Sequence, residues 1–193
     1  ASMPRPATAA DLPELAGVLA AAFDGYAWTK WTVPARQHRE RIRILQQAYL
    51  GHLALPHGMV WTVPDLSAAA AFVPSPPPAL APPALELIAA AHADRFDTLV
   101  GAEELLAGRR PPHDWTLATV GVLPRVRGRG LGLAVVRAGL EAIDRRQGTC
   151  LVETSDPGNL PFYRRLGFRA RETVMTAGPP VYILTRPASG AQP

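Results

Sequence analysis

Between a run that reads as a strand, 115–123, and a run that reads as a helix, 133–146, lies the stretch Arg127-Gly128-Arg129-Gly130-Leu131-Gly132. Alternate glycines ahead of a helix let backbone N–H groups and the positive helix end meet an anion with no Cβ in the way. The stretch is an anion seat, and it constrains everything around it. The helix that follows turns Val135, Val136, Leu140 and Ile143 inward, and 150–153 is a short buried strand. Strand, loop, helix and strand in that order form a right-handed crossover, which sets two parallel strands side by side.

Which anion the seat holds is narrowed by what is missing. No Gly-Lys-Ser/Thr ends the run, which excludes a Walker loop. A dinucleotide-binding unit is the nearer rival, because Glu153 ends the next strand about 20 residues after the glycines, where such folds carry a ribose-binding acid. The third glycine of that fingerprint is absent, however, with Leu133 and Val135 at the places where it could fall. The unit also lies near the C-terminal end and leaves no room for further parallel strands. Arg127 and Arg129 bring positive charge that suits a CoA-like pyrophosphate.

The net charge of +4, with Lys30 the only lysine, agrees with an anionic ligand. The basic residues are spread out, with neither an aromatic-interleaved stripe nor helix-turn-helix spacing, so a phosphate-bearing small molecule is expected rather than nucleic acid. No run approaches the roughly 18 apolar residues of a membrane span, and the start lacks a signal-peptide layout. A cytoplasmic protein without a membrane partner is the expectation. With 193 residues and 48% hydrophobic content, one core is expected, a single domain over 3–187. Ala1 and Ser2 read as an expression scar and 188–193 as a disordered tail. Cys150, in an apolar run, reads as a buried structural thiol. No His, Cys and acid spacing suggests a metal site.

The first half is read from periodicity. Thr8 and Asp11 form a capping box, and Leu12, Leu15, Val18, Leu19 and Phe23 recur at helical spacing, so a helix is expected over 9–23. The segment 24–34 carries Tyr26, Trp28 and Trp31 in an irregular stretch, ahead of a second helix over 35–50. Strands are expected at 59–63 and 67–73 as a hairpin, a stiff Pro-rich connection at 74–83, and helices over 84–96 and 98–107. A short helix at 160–166 and two antiparallel strands, 168–176 and 181–186, complete the chain.

Two motifs carry a family resemblance. Arg127 to Gly132, preceded by Leu117-Ala118-Thr119-Val120-Gly121-Val122, resembles the acetyl-CoA signature of GNAT acetyltransferases, in which Gln or Arg is followed at fixed spacing by two small residues. Glu153-Thr154-Ser155-Asp156-Pro157-Gly158 followed by Asn159-Leu160-Pro161-Phe162-Tyr163-Arg164-Arg165-Leu166-Gly167-Phe168 is similar to the second CoA motif of that family, N-x-x-F-Y-x-x-x-G-F. Together the motifs imply the GNAT fold, an α/β (α+β) architecture with a mixed central sheet of about six to seven strands flanked by helices. A splayed pair of parallel strands would hold acetyl-CoA.

The resemblance also implies a chemistry. The acceptor amine attacks the thioester directly, a tetrahedral oxyanion forms, and CoA thiolate leaves. The cosubstrate is expected against Val120, Gly121 and Val122, against the loop Arg127, Gly128, Arg129, Gly130, Leu131, Gly132 and Leu133, and against Asn159 and Tyr163. The Val122 N–H is a candidate donor to the oxyanion. Tyr163 aligns with the family's proton donor to the departing thiolate, its reference pKa of about 10 matching an alkyl thiol. Asn159 is either a hydrogen-bond donor to the CoA arm or an N-cap. Glu153 is the candidate base, directly or through water, and His113 the second; His38, His52, His57 and His92 read as surface or satisfied histidines. Tyr26, Trp28, Trp31 and Trp61, with His113, form the expected acceptor site, since rigid aromatics wall a ring-bearing ligand.

The expected activity is acetyl-CoA-dependent N-acetylation of a small-molecule amine, such as an antibiotic or aminonucleoside-like compound, by a monomer or homodimer. Acetylation of protein or peptide N-termini would need an open groove. A non-catalytic CoA-binding domain would not need both Tyr163 and Glu153.

Overall fold

The computed structural model describes residues 3–190, so the expected scar at 1–2 and the end of the expected tail, 191–193, lie outside the described residues. In chain order the elements are β1 (Arg5–Pro6), a 3-10 turn (Ala9–Asp11), α1 (Leu12–Phe23), α2 (Ala27–Thr32), α3 (His38–Tyr49), a π-helical stretch (Leu50–Ala54) and α4 (Leu55–His57). There follow β2 (Met59–Thr62), β3 (Ala68–Pro74), α5 (Pro82–His92), α6 (Phe96–Ala107), β4 (Trp115–Val122), α7 (Leu131–Arg145), β5 (Cys150–Thr154), α8 (Leu160–Arg165), β6 (Arg169–Val174) and β7 (Val181–Arg186). The seven strands make one mixed sheet in the order β1-β2-β3-β4-β5-β7-β6. Among the described residues only β4 and β5 run parallel; the other neighbours are antiparallel. This is the mixed α/β architecture the motifs imply, with β7 inserted between β5 and β6.

Local chemistry explains most element ends. The Thr8 N–H donates to Asp11 Oδ2 at 2.8 Å, closing the expected capping box ahead of α1. The irregular segment after α1 contains the short α2, and the Thr29 hydroxyl ties the corner by donating to the Phe23 and Tyr26 carbonyls at 2.6 and 3.0 Å. The second helix starts at His38 rather than 35 because Gln37 takes a left-handed φ of 54°. It runs past 50 into the π-helical stretch, an extension that nothing in the sequence announced. Pro82 and Pro83 occupy the first turn of α5, where no N–H is needed, and Ala93, at φ 49°, breaks the chain before α6.

Strand β3 explains how the layers come together. Ala68, Ala70 and Phe72 point into the core beneath α7, with Leu117, Val136, Leu140 and Phe168, while Ala69, Ala71 and Val73 point into a second core with Leu15, Leu19 and Leu50. A strand buried on both faces reads as a continuous apolar run, and its alanines let helices approach from either side. Two glycines mark the closest approaches. A Cβ at Gly139 of α7 would fall 2.6 Å from Phe72 Cδ2, and one at Gly121 of β4 would fall 2.9 Å from both Ala22 Cβ and Leu19 Cδ2 of α1. Both helices therefore clamp the β3–β4 pair.

The site is opened by a divergence of strands. β4 and β5 pair at Trp115↔Cys150, Thr116↔Leu151 and Leu117↔Val152, and the pairing then stops. On its other edge β4 passes from Leu117↔Phe72 to Thr119↔Ala71, which leaves Ala118 as a bulge. A bulge bends and twists its strand. β5 stays with β7 as far as Thr154↔Tyr182, so β4 leaves it, and a cleft opens toward the start of α7. Cys150, at the closed end, is buried, and burial pushes its thiol up to about 12, as suits a structural residue.

Candidate active site

The cleft is the floor of a cavity of 1180 Å³. Pro124, Arg127 and Gly132 of the loop and first turn of α7 line it, as do Val120, Gly121, Val122, Asn159 and Tyr163, and Tyr26, Trp28, Glu103 and Glu153. It is walled by both halves of the chain.

The anion seat has the geometry its sequence required. Gly128 and Gly130 have left-handed φ values of 81° and 78°, and a Cβ on either would meet open space. Gly130 caps α7, no side chain bonds the helix start, and the first helical bond runs from the Ala134 N–H to the Gly130 carbonyl at 3.0 Å. The N–H groups of Leu131, Gly132 and Leu133 are thus without intrahelical acceptors at a positive helix end. Arg127, Gly128 and Arg129 are exposed. Gly132 lies close to β4, where a Cβ would come 3.3 Å from Val122 Cγ2.

Tyr163 is buried between Phe162 and Phe168, whose rings meet its own edge-on at 5.2 and 5.8 Å. Burial, reinforced by the neighbouring Tyr26, pushes its phenol well above the ordinary value. Such a group stays protonated at neutral pH. Glu153, at the carboxyl end of β5, is gripped by Arg110, whose Nε and Nη2 donate to Oε2 and Oε1 at 2.8 and 2.7 Å. Arg110 Nη2 also reaches Glu103 Oε2 at 3.2 Å. Burial works against the Arg110 charge, but the bonds and charges of Glu153 and Glu103 outweigh it and raise its pKa.

A polar network closes the end of β5. The Tyr26 hydroxyl accepts from the Ser155 N–H at 2.7 Å and lies 3.1 Å from Thr154 Oγ1. Asn159 Nδ2 donates to the same Thr154 oxygen at 3.1 Å. Asn159 opens α8 by position, but its side chain makes no cap; Asp156 accepts the Gly158 N–H at 2.8 Å instead, one turn earlier. Asn159 is therefore not the cap, because its side chain points back toward β5.

The expected aromatic wall is only partly assembled. Tyr26 and Trp28 line the cavity, whereas Trp31, Trp61 and His113 do not. Trp31 lies flat against Gly178 of the β6–β7 turn, where a Cβ would fall 2.6 Å from Trp31 Cγ, and its carbonyl accepts from Arg95 Nε at 2.8 Å. Trp61 packs against the core beneath α7. His113 Nδ1 lies 2.8 Å from the Pro111 carbonyl in the loop before β4, so neither a base role nor an acceptor contact follows from its position. Their residue types signalled burial without saying against what.

Three further lining residues are His92, read from the sequence as a surface or satisfied histidine, and Thr119 and Ser155, which lie within the two motifs. His92 is buried, its Nδ1 bonded to the Thr32 carbonyl at 2.6 Å, and burial lowers its pKa. Thr119 Oγ1 and Ser155 Oγ are buried, line the cavity and have no hydrogen-bond partner. Orphaned hydroxyls beside an open cavity suit a ligand that carries polar groups. Among the described residues no cluster of three or more His, Cys, Asp or Glu could hold a metal, and no helix is long and apolar enough to cross a membrane.

Comparison with known proteins agrees with this geometry. Residues 86–170, which span β4, the anion seat, α7, β5 and Tyr163, match the family model described as an acetyltransferase (GNAT) domain. The fold is similar to that of histone acetyltransferase HPA2 and related acetyltransferase from Corynebacterium glutamicum, with a TM-score of 0.75 at 21% identity over 100% of this chain and 98% of that one. A GNAT family acetyltransferase from Brucella melitensis in complex with acetyl-CoA matches with a TM-score of 0.55 at 20% identity over 100% and 92% of the two chains. The polyamine N-acetyltransferase of Drosophila melanogaster matches at 0.63 and 16% over 97% and 100%. The segment bearing the anion seat and Tyr163 thus matches the model of an acetyltransferase (GNAT) domain, and the chain around it has the fold of these acetyltransferases.

Proposed function

We propose that the chain is an N-acetyltransferase with acetyl-CoA as its cosubstrate and that its acceptor is a small-molecule amine. The observation that carries this is the cavity of 1180 Å³, lined by α2, α3 and α6 and walled on one side by Tyr26 and Trp28. A walled cavity of this size exceeds the roughly 300–1,000 Å³ of ordinary ligand pockets and leaves room for an amine beside a pantetheine arm. A polypeptide terminus would need few bulky aromatics across the acceptor mouth, where Tyr26 and Trp28 stand. The motifs at 117–122, 130–136 and 153–168 resemble those of puromycin N-acetyltransferase, which favours an antibiotic or aminonucleoside-like amine. Similar solved structures include the polyamine enzyme and an agmatine N-acetyltransferase. The reading places the enzyme in the cytoplasm, as a monomer or homodimer.

The residues of the cleft fit acetyl-CoA, on two observations: the uncapped amides of α7 behind open glycines, and the orphaned Thr119 and Ser155 hydroxyls. When bound, the cosubstrate supplies an acetyl group activated as a thioester. The amides of Leu131, Gly132 and Leu133 with Arg127 and Arg129 hold its diphosphate, and Asn159 faces the arm. The β5-facing edge of β4 from Ala118 to Val122 has no strand beside it among the described residues, so the Val122 N–H is placed to donate to the thioester carbonyl oxygen. Tyr163 donates a proton to the leaving sulfur. Glu153 takes a proton from the acceptor's ammonium group, directly or through water, and frees the amine lone pair that attacks the carbonyl carbon.

The test follows free thiol release from acetyl-CoA with four amines: a polyamine, an aromatic ethylamine, puromycin and a peptide with an N-terminal alanine. Release with one or more of the first three supports the reading. Release with the peptide alone would replace it by N-terminal acetylation, and saturable acetyl-CoA binding with no thiol above background would mean a binding domain.

A further inference from the structure

We propose that Arg110 is a positioning residue for acetyl transfer, clamping the Glu153 carboxylate on the cavity wall so that its remaining lone pairs face the acceptor. The inference rests on the reading of Glu153 as the proton acceptor and names the group that holds it in place. Arg110 lies just beyond α6, 43 residues from Glu153, and meets it with two bonds of 2.8 and 2.7 Å. A forked guanidinium fixes both the position and the plane of a carboxylate, which a single ammonium contact does not. It uses one site on each oxygen. A carboxylate offers about four acceptor sites, so the second site on each oxygen is left for a water or an amine.

The location favours this role over a simple tether between α6 and β5. Glu153 and Glu103 both line the cavity, at the end of β5 that β4 has left. Both side chains of the clamp are largely withdrawn from solvent, Arg110 at 23% and Glu153 at 20% exposure, whereas Glu103, at 49%, sits at the rim. Two carboxylates against one guanidinium leave one net negative charge on this wall. That charge suits an acceptor arriving as a cation, with Trp28 close by for its carbon frame. The adjacent Arg109 pairs with Glu172 of β6 and does not compete for Glu153.

The experiment is a double-mutant cycle on kcat, with the best amine of the four above. Arg110→Ala should lower kcat roughly 10- to 100-fold, the scale of a misplaced reacting group, with the KM for acetyl-CoA unchanged. Placed in a Glu153→Gln background, the same change should cost almost nothing more, because the carboxylate it positions is gone. Arg110→Lys, which keeps the charge and loses the fork, should recover only part of the activity and serves in the cycle if the alanine variant does not fold. An equal loss in both backgrounds would overturn the proposal and make Arg110 a structural tether. A Glu153→Gln variant as active as the parent would overturn the Glu153 reading, and turnover of none of the amines would overturn both.

Discussion

Tyr163 combines two properties: it lines the cavity of the candidate site, and its ring is packed on both sides by aromatics. Burial disfavours the phenolate, so the neutral form that can give a proton persists to higher pH than in solution. The sign is fixed by the charge: a phenol whose pKa is raised loses its proton later on the way up the pH scale. At saturating amine, kcat should therefore show no decline from this group up to about pH 10, the ordinary phenol value. Tyr163→Phe should lower kcat roughly 100-fold, in the range of general acid catalysis, while acetyl-CoA affinity stays within about a factor of two. A kcat profile falling below pH 10, with that fall abolished in the phenylalanine variant, would show the phenol ionising in its ordinary range. An equal loss of affinity and kcat would make the residue a builder of the site.

Among the elements, α7 carries the largest consequence, because its first turn holds the anion seat and its body sets where that turn lies. Gly139 is the point at which it touches β3. An alanine there must displace Phe72 or lift the helix, since its Cβ would fall 2.6 Å from two atoms of that ring. Overpacking of this kind costs about 1–3 kcal/mol, so Gly139→Ala should lower the urea midpoint with the slope unchanged. An unaltered midpoint would mean that Phe72 has a free alternative rotamer. The helix itself was legible in the sequence, as were α1, the β2–β3 hairpin and the crossover, because periodicity and caps are local signals. The bulge at Ala118 and the π-helical stretch after α3 were not, for each depends on partners elsewhere in the chain. Trp28 and Trp31 show the same limit within one helix. They sit three residues apart with rings 5.5 Å from each other, yet only Trp28 reaches the cavity, because the β6–β7 turn covers Trp31.

For the whole molecule, the site is a joint between halves distant in sequence. The positions of the glycine loop ahead of α7 and of Tyr163 in α8 could be read from motifs, since their spacing is a local signal. The pairing of Arg110 with Glu153 and the contact of Tyr26 with Ser155 could not, because only folding brings those positions together. The Tyr26 contact is the tighter test of that joint. Its hydroxyl accepts the N–H of a residue 129 positions away at 2.7 Å and lies beside Thr154 Oγ1, which also holds Asn159. Tyr26→Phe keeps the ring and its edge-on contact with Phe23 at 5.2 Å, and removes only the hydroxyl. The Ser155 N–H then loses its acceptor in a residue that is 6% exposed, at a cost of about 1–3 kcal/mol unless water enters. Urea unfolding should show a lower midpoint, and kcat should fall with it, because the turn that follows Glu153 and leads to Tyr163 is no longer pinned. Loss of stability with kcat intact would confine the bond to folding, whereas a variant matching the parent in both would show that α2 and β5 are held together by apolar packing alone.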